Sequence, residues 1–340
     1  QHTTDPSKFL EEIVLQEKIS LNSIEPDYKA FINPTLIRRM GRIIKMGVAS
    51  AQICLKDANV EMPDAILTGT GLGCIEDTEK FLTAIIENKE QFLTPTSFIQ
   101  STHNTVGGQI ALLLKCHNYN FTYVHRGFSF ESCVLDALML LEENPGGNIL
   151  IGGVDETTAK SLKLIERLGH LKTKAPETMQ LLQSKSRGSI AGEGANFFLL
   201  SQSKNQHSYA QLVGCRMLYK PANSSSIEAE MDALLNENKM SHADVDLVIY
   251  GLNGDYKKDE IYHEFQQGKF KDAAAAYFKH LSGEYACASS FGFMLAAQIL
   301  KSGKVPSALV LKEGKREIKN ILLYNHYQGI NHTLQLFRAC

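Results

Sequence analysis

Tyr123-Val-His-Arg-Gly-Phe-Ser-Phe-Glu131 opens a helix, and the elements downstream of it decide the fold. The apolar helix runs from Phe130 to Leu141, breaks at the turn Asn144-Pro-Gly-Gly147, and passes into the strand Asn148-Ile-Leu-Ile-Gly-Gly-Val154. The second half of the chain repeats that wording. A helix from Phe291 to Ile299 meets the turn Lys301-Ser-Gly-Lys304 and the strand Ser307-Ala-Leu-Val-Leu-Lys312. Further upstream, a helix over about Leu36 to Ala58 leads to Asp64-Ala-Ile-Leu-Thr-Gly-Thr-Gly-Leu-Gly73. A helix around Ser226–Lys239 leads likewise to Asp244-Val-Asp-Leu-Val-Ile-Tyr-Gly-Leu-Asn-Gly254. Each reads as helix, connector, buried strand and glycine-rich loop. The halves close on strands, Ala195–Leu200 in the first, Asn320–Tyr324 with His332–Phe337 in the second. Strands alternating with helices predict an α/β fold with mostly parallel sheets, built as two similar halves. The composition turns polar near Gln202–His207, dividing the chain into residues 1–205 and 206–340.

Bulk properties exclude several function classes. A chain of 340 residues can bury a large core. Its net charge of −2 leaves no electrostatic footprint for nucleic acid or an anionic membrane. Seven scattered cysteines, without paired or metal-ligand spacing, read as reduced thiols in the cytoplasm. No apolar run reaches the roughly 18–20 residues that span a bilayer. The chain starts at Gln1 rather than Met, which reads as removal of residues upstream. Asp259, Glu260, His263 and Glu264 could imitate a metal set, but Lys257 and Lys258 adjoin them and a solvated helix face is the better reading. The glycines of Thr68-Gly-Thr-Gly-Leu-Gly73 lack dinucleotide-loop spacing and suit a close backbone approach beneath a site. No metal and no cofactor is expected.

Four segments carry a family resemblance: Pro95-Thr-Ser-Phe-Ile-Gln-Ser-Thr-His-Asn-Thr105, the helix start at Tyr123–Glu131, Gly152-Gly-Val-Asp-Glu156 and Gly192-Glu-Gly-Ala195. Through them the chain resembles the β-ketoacyl-ACP synthase branch of the thiolase superfamily, from about residue 35 to residue 338. Asn325-His-Tyr-Gln-Gly-Ile-Asn331 looks like a shortened form of that family's terminal glycine-rich loop. The strand with which the family opens, ahead of the first helix, has no counterpart here. The resemblance implies a thiolase-like fold, two pseudo-symmetric βαβαβ halves in stacked layers. Helices 130–141 and 291–299 would be related by a pseudo-twofold and buried centrally. It also implies dimerisation through Pro95–Gln109, partly on an interface helix, and the strand Phe121–Tyr123.

In active members of the family a cysteine at a buried helix N-terminus takes the acyl group from the carrier protein. Free N–H groups and the helix dipole there favour the thiolate and form an oxyanion hole. Two histidines from the second half assist decarboxylation. Carried over by motif, the nucleophile position is Gly127, the first histidine position is Asn253 in Gly251-Leu-Asn-Gly-Asp255, and the second is Glu284 in Lys279-His-Leu-Ser-Gly-Glu284. A glycine has no side chain with which to attack a thioester. This pattern resembles the chain-length-factor subunits of type II polyketide systems. The wording Thr102-His-Asn-Thr105 and His125–Glu131 is most similar to ketosynthase-like proteins of aryl polyene and flexirubin-type pigment clusters. The resemblance thus implies a cytoplasmic, non-catalytic subunit whose partners are an acyl carrier protein and an active ketosynthase, or a second copy of itself.

Other residues could carry altered chemistry. Cys287, in Tyr285-Ala-Cys-Ala-Ser-Ser290, superficially imitates a nucleophile motif, but Glu284 close by would raise its pKa, and an inert packed thiol is favoured. Ser129 reads as a helix N-cap rather than a nucleophile. Cys133 falls on an apolar helix face. His103 and His125 are candidate acid–base groups, and Arg126 a candidate anion ligand, each with a structural role as the simpler alternative. Phe128 and Phe130 flank Gly127 and are expected to line or plug the acyl pocket.

Overall fold

The structure, a computed structural model, describes residue 10, residues 13–314 and residues 316–340. Apolar runs bounded by turn residues become two sheets. Strands Ala65–Gly69 (β1), Tyr119–Tyr123 (β2), Asn148–Asp155 (β3) and Gly194–Ser201 (β4) form one, in the order β2-β1-β3-β4. Strands Gln211–Tyr219 (β5), Leu247–Tyr250 (β6), Ala274–Tyr277 (β7), Val310–Lys312 (β8), Asn320–Tyr327 (β9) and Asn331–Arg338 (β10) form the other, in the order β5-β10-β9-β6-β7-β8. In the first sheet β1 is parallel to β2 and β3, while β4 is antiparallel to β3. The second repeats this: β6 is parallel to β7 and β9, while β10 is antiparallel to β9. Two pseudo-symmetric halves therefore share one plan.

The repeat corrects one correspondence. The counterpart of β3 is β9, not the run Ser307–Lys312, of which only Val310–Lys312 is strand, on the far edge beyond β7. The difference is burial. The six central residues of β9 are all buried and take the middle of the sheet, whereas β8 is half-buried.

Helices complete the layers. Pro34–Ile37 (α1), Arg42–Ala58 (α2), Ile75–Glu87 (α3), Pro95–Gln100 (α4), Thr105–Leu114 (α5), Ser129–Glu143 (α6) and Ala159–Arg167 (α7) belong to the first half. Ser224–Glu237 (α8), Glu260–Gln267 (α9), Lys279–Ser282 (α10) and Ser289–Ser302 (α11) belong to the second. Helices α6 and α11 lie between the sheets. Phe130 and Val134 of α6, Phe293 and Leu295 of α11, Leu67 and Ile151 of one sheet and Ile249 and Leu323 of the other form one buried cluster. The Phe130 and Phe293 rings meet edge-on at 5.4 Å. Helices α2 and α5 cover the outer face of the first sheet, and α8 and α9 that of the second. The result is a thiolase-like αβαβα stack. Among the described residues no helix is long and apolar enough to cross a membrane.

The helix expected over about Leu36 to Ala58 is two helices. Asn33 caps α1 and Pro34 sits at its first position, while α2 starts afresh after Gly41. A Cβ at Gly41 would meet the Asp77 carboxylate, the movable end of its side chain.

The halves also meet backbone to backbone. Gly192 donates to the Glu284 carbonyl at 3.0 Å, and Glu284 donates to the Ile190 carbonyl at 2.8 Å. A Cβ at Gly192 would collide with the Ser282 carbonyl and stand 2.7 Å from Gly283 Cα. Gly192→Ala is expected to destabilise the protein by about 3 kcal/mol, because backbone on both sides leaves nothing soft to yield. Urea denaturation checks this; an unchanged midpoint would mean the seam is pliable.

Candidate functional site

The site is built on a hairpin. β9 turns into β10 through Gln328 and Gly329, both left-handed at φ 60° and 67°, with Ile330 donating to the Tyr327 carbonyl at 3.0 Å. Tyr327 pairs with Asn331, so the loop between the strands is the three residues Gln328, Gly329 and Ile330. The segment read as a shortened glycine-rich loop is thus the end of one strand, a three-residue turn and the start of the next. Its consequence is the placement of Tyr327. A Cβ at Gly127 would collide with Tyr327 Cβ and lie 2.8 Å from its Cγ. Gly127 itself lies in a 3₁₀ turn, Arg126–Phe128, that leads into α6, and Arg126 carries a left-handed φ of 51°. Burial, with the Glu284 and Asp155 carboxylates nearby, pushes the Tyr327 phenol above its ordinary range.

The other two positions singled out by the resemblance touch each other. Asn253 Nδ2 donates to Glu284 Oε2 at 2.7 Å, and Lys279 Nζ donates to the same oxygen at 2.8 Å. Lys279 also donates to the His326 carbonyl at 3.0 Å and is fully buried, as is nearly all of the Glu284 side chain. The Asn253 loop is held by Asp259, which accepts from the N–H groups of Asn253 at 3.2 Å and Gly254 at 2.8 Å. Asp259 is therefore buried, not on a solvated face. Burial pushes its carboxyl up to about 7, opposed by those two bonds. Among the described residues no group of three metal-type side chains is present.

Cys287 is fully buried, and burial raises its thiol well above the ordinary range. The carboxylate that adds to this is Asp155, which accepts from Cys287 N at 2.9 Å, rather than Glu284. Asp155 is in turn held by Thr70 Oγ1 at 3.0 Å and Gly71 N at 2.7 Å. Ser129 is not a cap: the residue before α6 is Phe128, and no side chain caps the helix. Its buried hydroxyl accepts from His125 N at 2.8 Å and lies 2.9 Å from the Thr70 carbonyl and 2.8 Å from that of Arg126, bracing the turn. Cys133 is buried, 3.4 Å from the Ser129 carbonyl.

His125 and Arg126 are exposed, and so is His103. His103 lies in the turn before α5 rather than on a helix, against Gly73. Phe130 packs into the inter-sheet core and Phe128 meets the His125 ring at 5.5 Å. The ring on Gly127 is that of Tyr327, which sequence reasoning missed. It lies two hundred residues along the chain, and nothing in its local pattern distinguishes it. Lys279, by contrast, begins the motif that ends at Glu284.

The family model for the β-ketoacyl synthase N-terminal domain matches residues 15–209. No curated protein matches the chain. The solved "ishigamide ketosynthase/chain length factor" shares 16% identity at a TM-score of 0.76, covering 94% of this chain and 87% of that one. A β-ketoacyl synthase from Burkholderia phymatum STM815 shares 15% identity at a TM-score of 0.74, covering 94% and 86%. The ketosynthase ApeO in complex with its chain length factor ApeC, from Xenorhabdus doucetiae, gives 14% identity and a TM-score of 0.71, covering 94% and 86%. At such identities the likeness is one of fold.

At the start of α6, Glu131 is fully buried, and burial pushes its carboxyl up to about 7 against the bonds that oppose it. Gln335 Nε2 reaches its Oε1 at 3.3 Å, and the Ser289 and Thr333 hydroxyls beside the carboxyl oppose the shift. Because the folded-state value lies above that of the unfolded chain, the folded protein holds this proton more tightly. The stabilisation is complete below about pH 4.5 and is lost as pH rises through about 7. Glu131→Gln is expected to flatten that decline, raising stability at pH 8 by on the order of 2–3 kcal/mol and leaving pH 4 nearly unchanged. Denaturant midpoints at both pH values check it; a parallel offset at both would contradict the assignment.

Proposed function

The chain belongs to the β-ketoacyl synthase family, and from that premise we propose that it is a catalytically degenerate, chain-length-factor-like subunit. It pairs with an active β-ketoacyl-ACP synthase in cytoplasmic type II fatty acid or polyketide biosynthesis, of the aryl polyene type. Residues 1–205 and 206–340 form its two halves. The observation that carries this reading is the Tyr327 ring seated on side-chain-free Gly127. Beside it, the two remaining positions are engaged with each other as Asn253 and Glu284, under a buried lysine. A helix start without a thiol has no covalent step, and a carboxylate already holding an ammonium and an amide has no free donor for an enolate. The alternatives fare worse. Cys287 is enclosed with its thiol protonated, and the Ser129 hydroxyl is spent on backbone.

A pairing surface supports the same reading. β2 lies at the edge of its sheet with Tyr119 and Phe121 exposed, and Phe98, Ile99 and Leu112 are exposed on the neighbouring helices α4 and α5. An apolar strand edge of this kind is an aggregation liability unless another chain covers it. The acyl carrier protein then meets the pair rather than this chain alone.

Two outcomes are expected. Intact-mass analysis after incubation with acyl-loaded carrier protein shows no acyl adduct on the isolated chain; an adduct on Cys287, abolished by Cys287→Ser, would overturn the reading. Phe121→Lys reduces recovery of the co-expressed synthase about tenfold or more, since a charge is then buried in an apolar contact. Undiminished co-purification would place the partner elsewhere.

A further inference from the structure

Three buried side chains meet at one oxygen. Glu284 Oε2 accepts from Asn253 Nδ2 at 2.7 Å and from Lys279 Nζ at 2.8 Å, so an amine and a carboxamide lie side by side on one carboxylate. Asn253 stands where the family resemblance places a histidine, and there it sets an electrophilic carbon beside a primary amine. Its other end is held as well: Asp255 N donates to Asn253 Oδ1 at 3.0 Å. Lys279 is fully buried and Asn253 is 3% exposed, which keeps water from competing for that carbon.

We infer that these residues form an intramolecular isopeptide bond, Lys279 Nζ to Asn253 Cγ, with release of ammonia. Each group holds the position its step requires. Lys279 passes a proton to Glu284, which converts a buried charged pair into a neutral one. The free amine attacks Asn253 Cγ, and the Asp255 N–H meets the negative charge that gathers on Oδ1. Glu284, already bonded to Nδ2, relays protons from the attacking nitrogen to the departing one, and the Cγ–Nδ2 bond breaks. The proton that Lys279 first carried leaves with the ammonia as ammonium. Glu284 therefore ends ionised as it began, and nothing is oxidised or reduced. A competing ring closure, attack by the Gly254 nitrogen on the same carbon, is opposed because that N–H is bonded to Asp259 Oδ2 at 2.8 Å. The product is a covalent strap between the loop after β6 and α10.

The test is made on the full chain. Its intact mass is expected to fall about 17 Da below that of the unmodified polypeptide, the loss of one ammonia. Trypsin cannot cut after an acylated lysine, so digestion is expected to release a branched peptide joining residues 240–257 to residues 272–301 through Lys279. Glu284→Gln lowers the linked fraction about tenfold or more. Lys279→Arg abolishes it, and both variants keep the wild-type circular dichroism spectrum. Recovery of residues 240–257 and 272–279 only as linear peptides, at the full polypeptide mass, would overturn the inference. So would a mass deficit that survives Lys279→Arg, which would place the lost ammonia in ring closure at Asn253-Gly254. The wild-type branched peptide decides the matter even where a variant fails to fold.

Discussion

One buried ion pair holds the centre of this molecule. Lys279 and Glu284 meet at 2.8 Å away from water, and each reaches beyond the other. The ammonium also bonds the end of β9, the carboxylate also bonds the loop after β6, and the Glu284 backbone bonds the first half on both its sides. Four separated stretches of chain thus converge on two charges. Removing one partner from such a pair leaves an uncompensated buried charge, which costs on the order of 3–5 kcal/mol. The pair therefore fixes the seam between the halves, and everything lining that seam inherits its positions.

Tyr327 is the first such inheritance. The lysine holds the His326 carbonyl, the next residue is Tyr327, and the tight turn at Gln328 and Gly329 gives the ring no slack. Its seat is the one position at the start of α6 without a side chain. Sterically the two are a matched set: the ring needs the glycine, and the glycine would leave a void without the ring. A filled centre in one subunit does not empty a shared assembly of chemistry, because the reaction belongs to whichever site holds the nucleophile.

Much of the fold was legible because burial writes itself into local sequence. The continuous apolar runs of β1, β3 and β6 and the helices flanking them fell close to their observed bounds. What escaped was decided by distant contacts. Gly41, where α2 starts afresh, lies against Asp77, thirty-six residues further on. The exchange of β8 for β9 turned on which of two short apolar runs reached the middle of a sheet, which composition does not encode. At the site, motif spacing singled out Asn253 and Glu284, while their contact with each other is visible only in three dimensions. The carboxylate beside Cys287 was assigned to its neighbour in sequence, Glu284, when the one that touches it is Asp155.

The same network opposes a nucleophile at the start of α6. A thiol placed at residue 127 would first have to displace Tyr327, whose backbone is held by the hairpin. It would then face the Glu284 and Asp155 carboxylates that already act on Tyr327, and neighbouring carboxylates raise a thiol's pKa rather than lower it. A histidine placed at 284 would strip the fully buried Lys279 of its counter-charge. Each such substitution removes a support on which the present packing depends. The obstacles are mutually reinforcing: a barrier of geometry, one of electrostatics and one of stability, all anchored in Lys279 and Glu284.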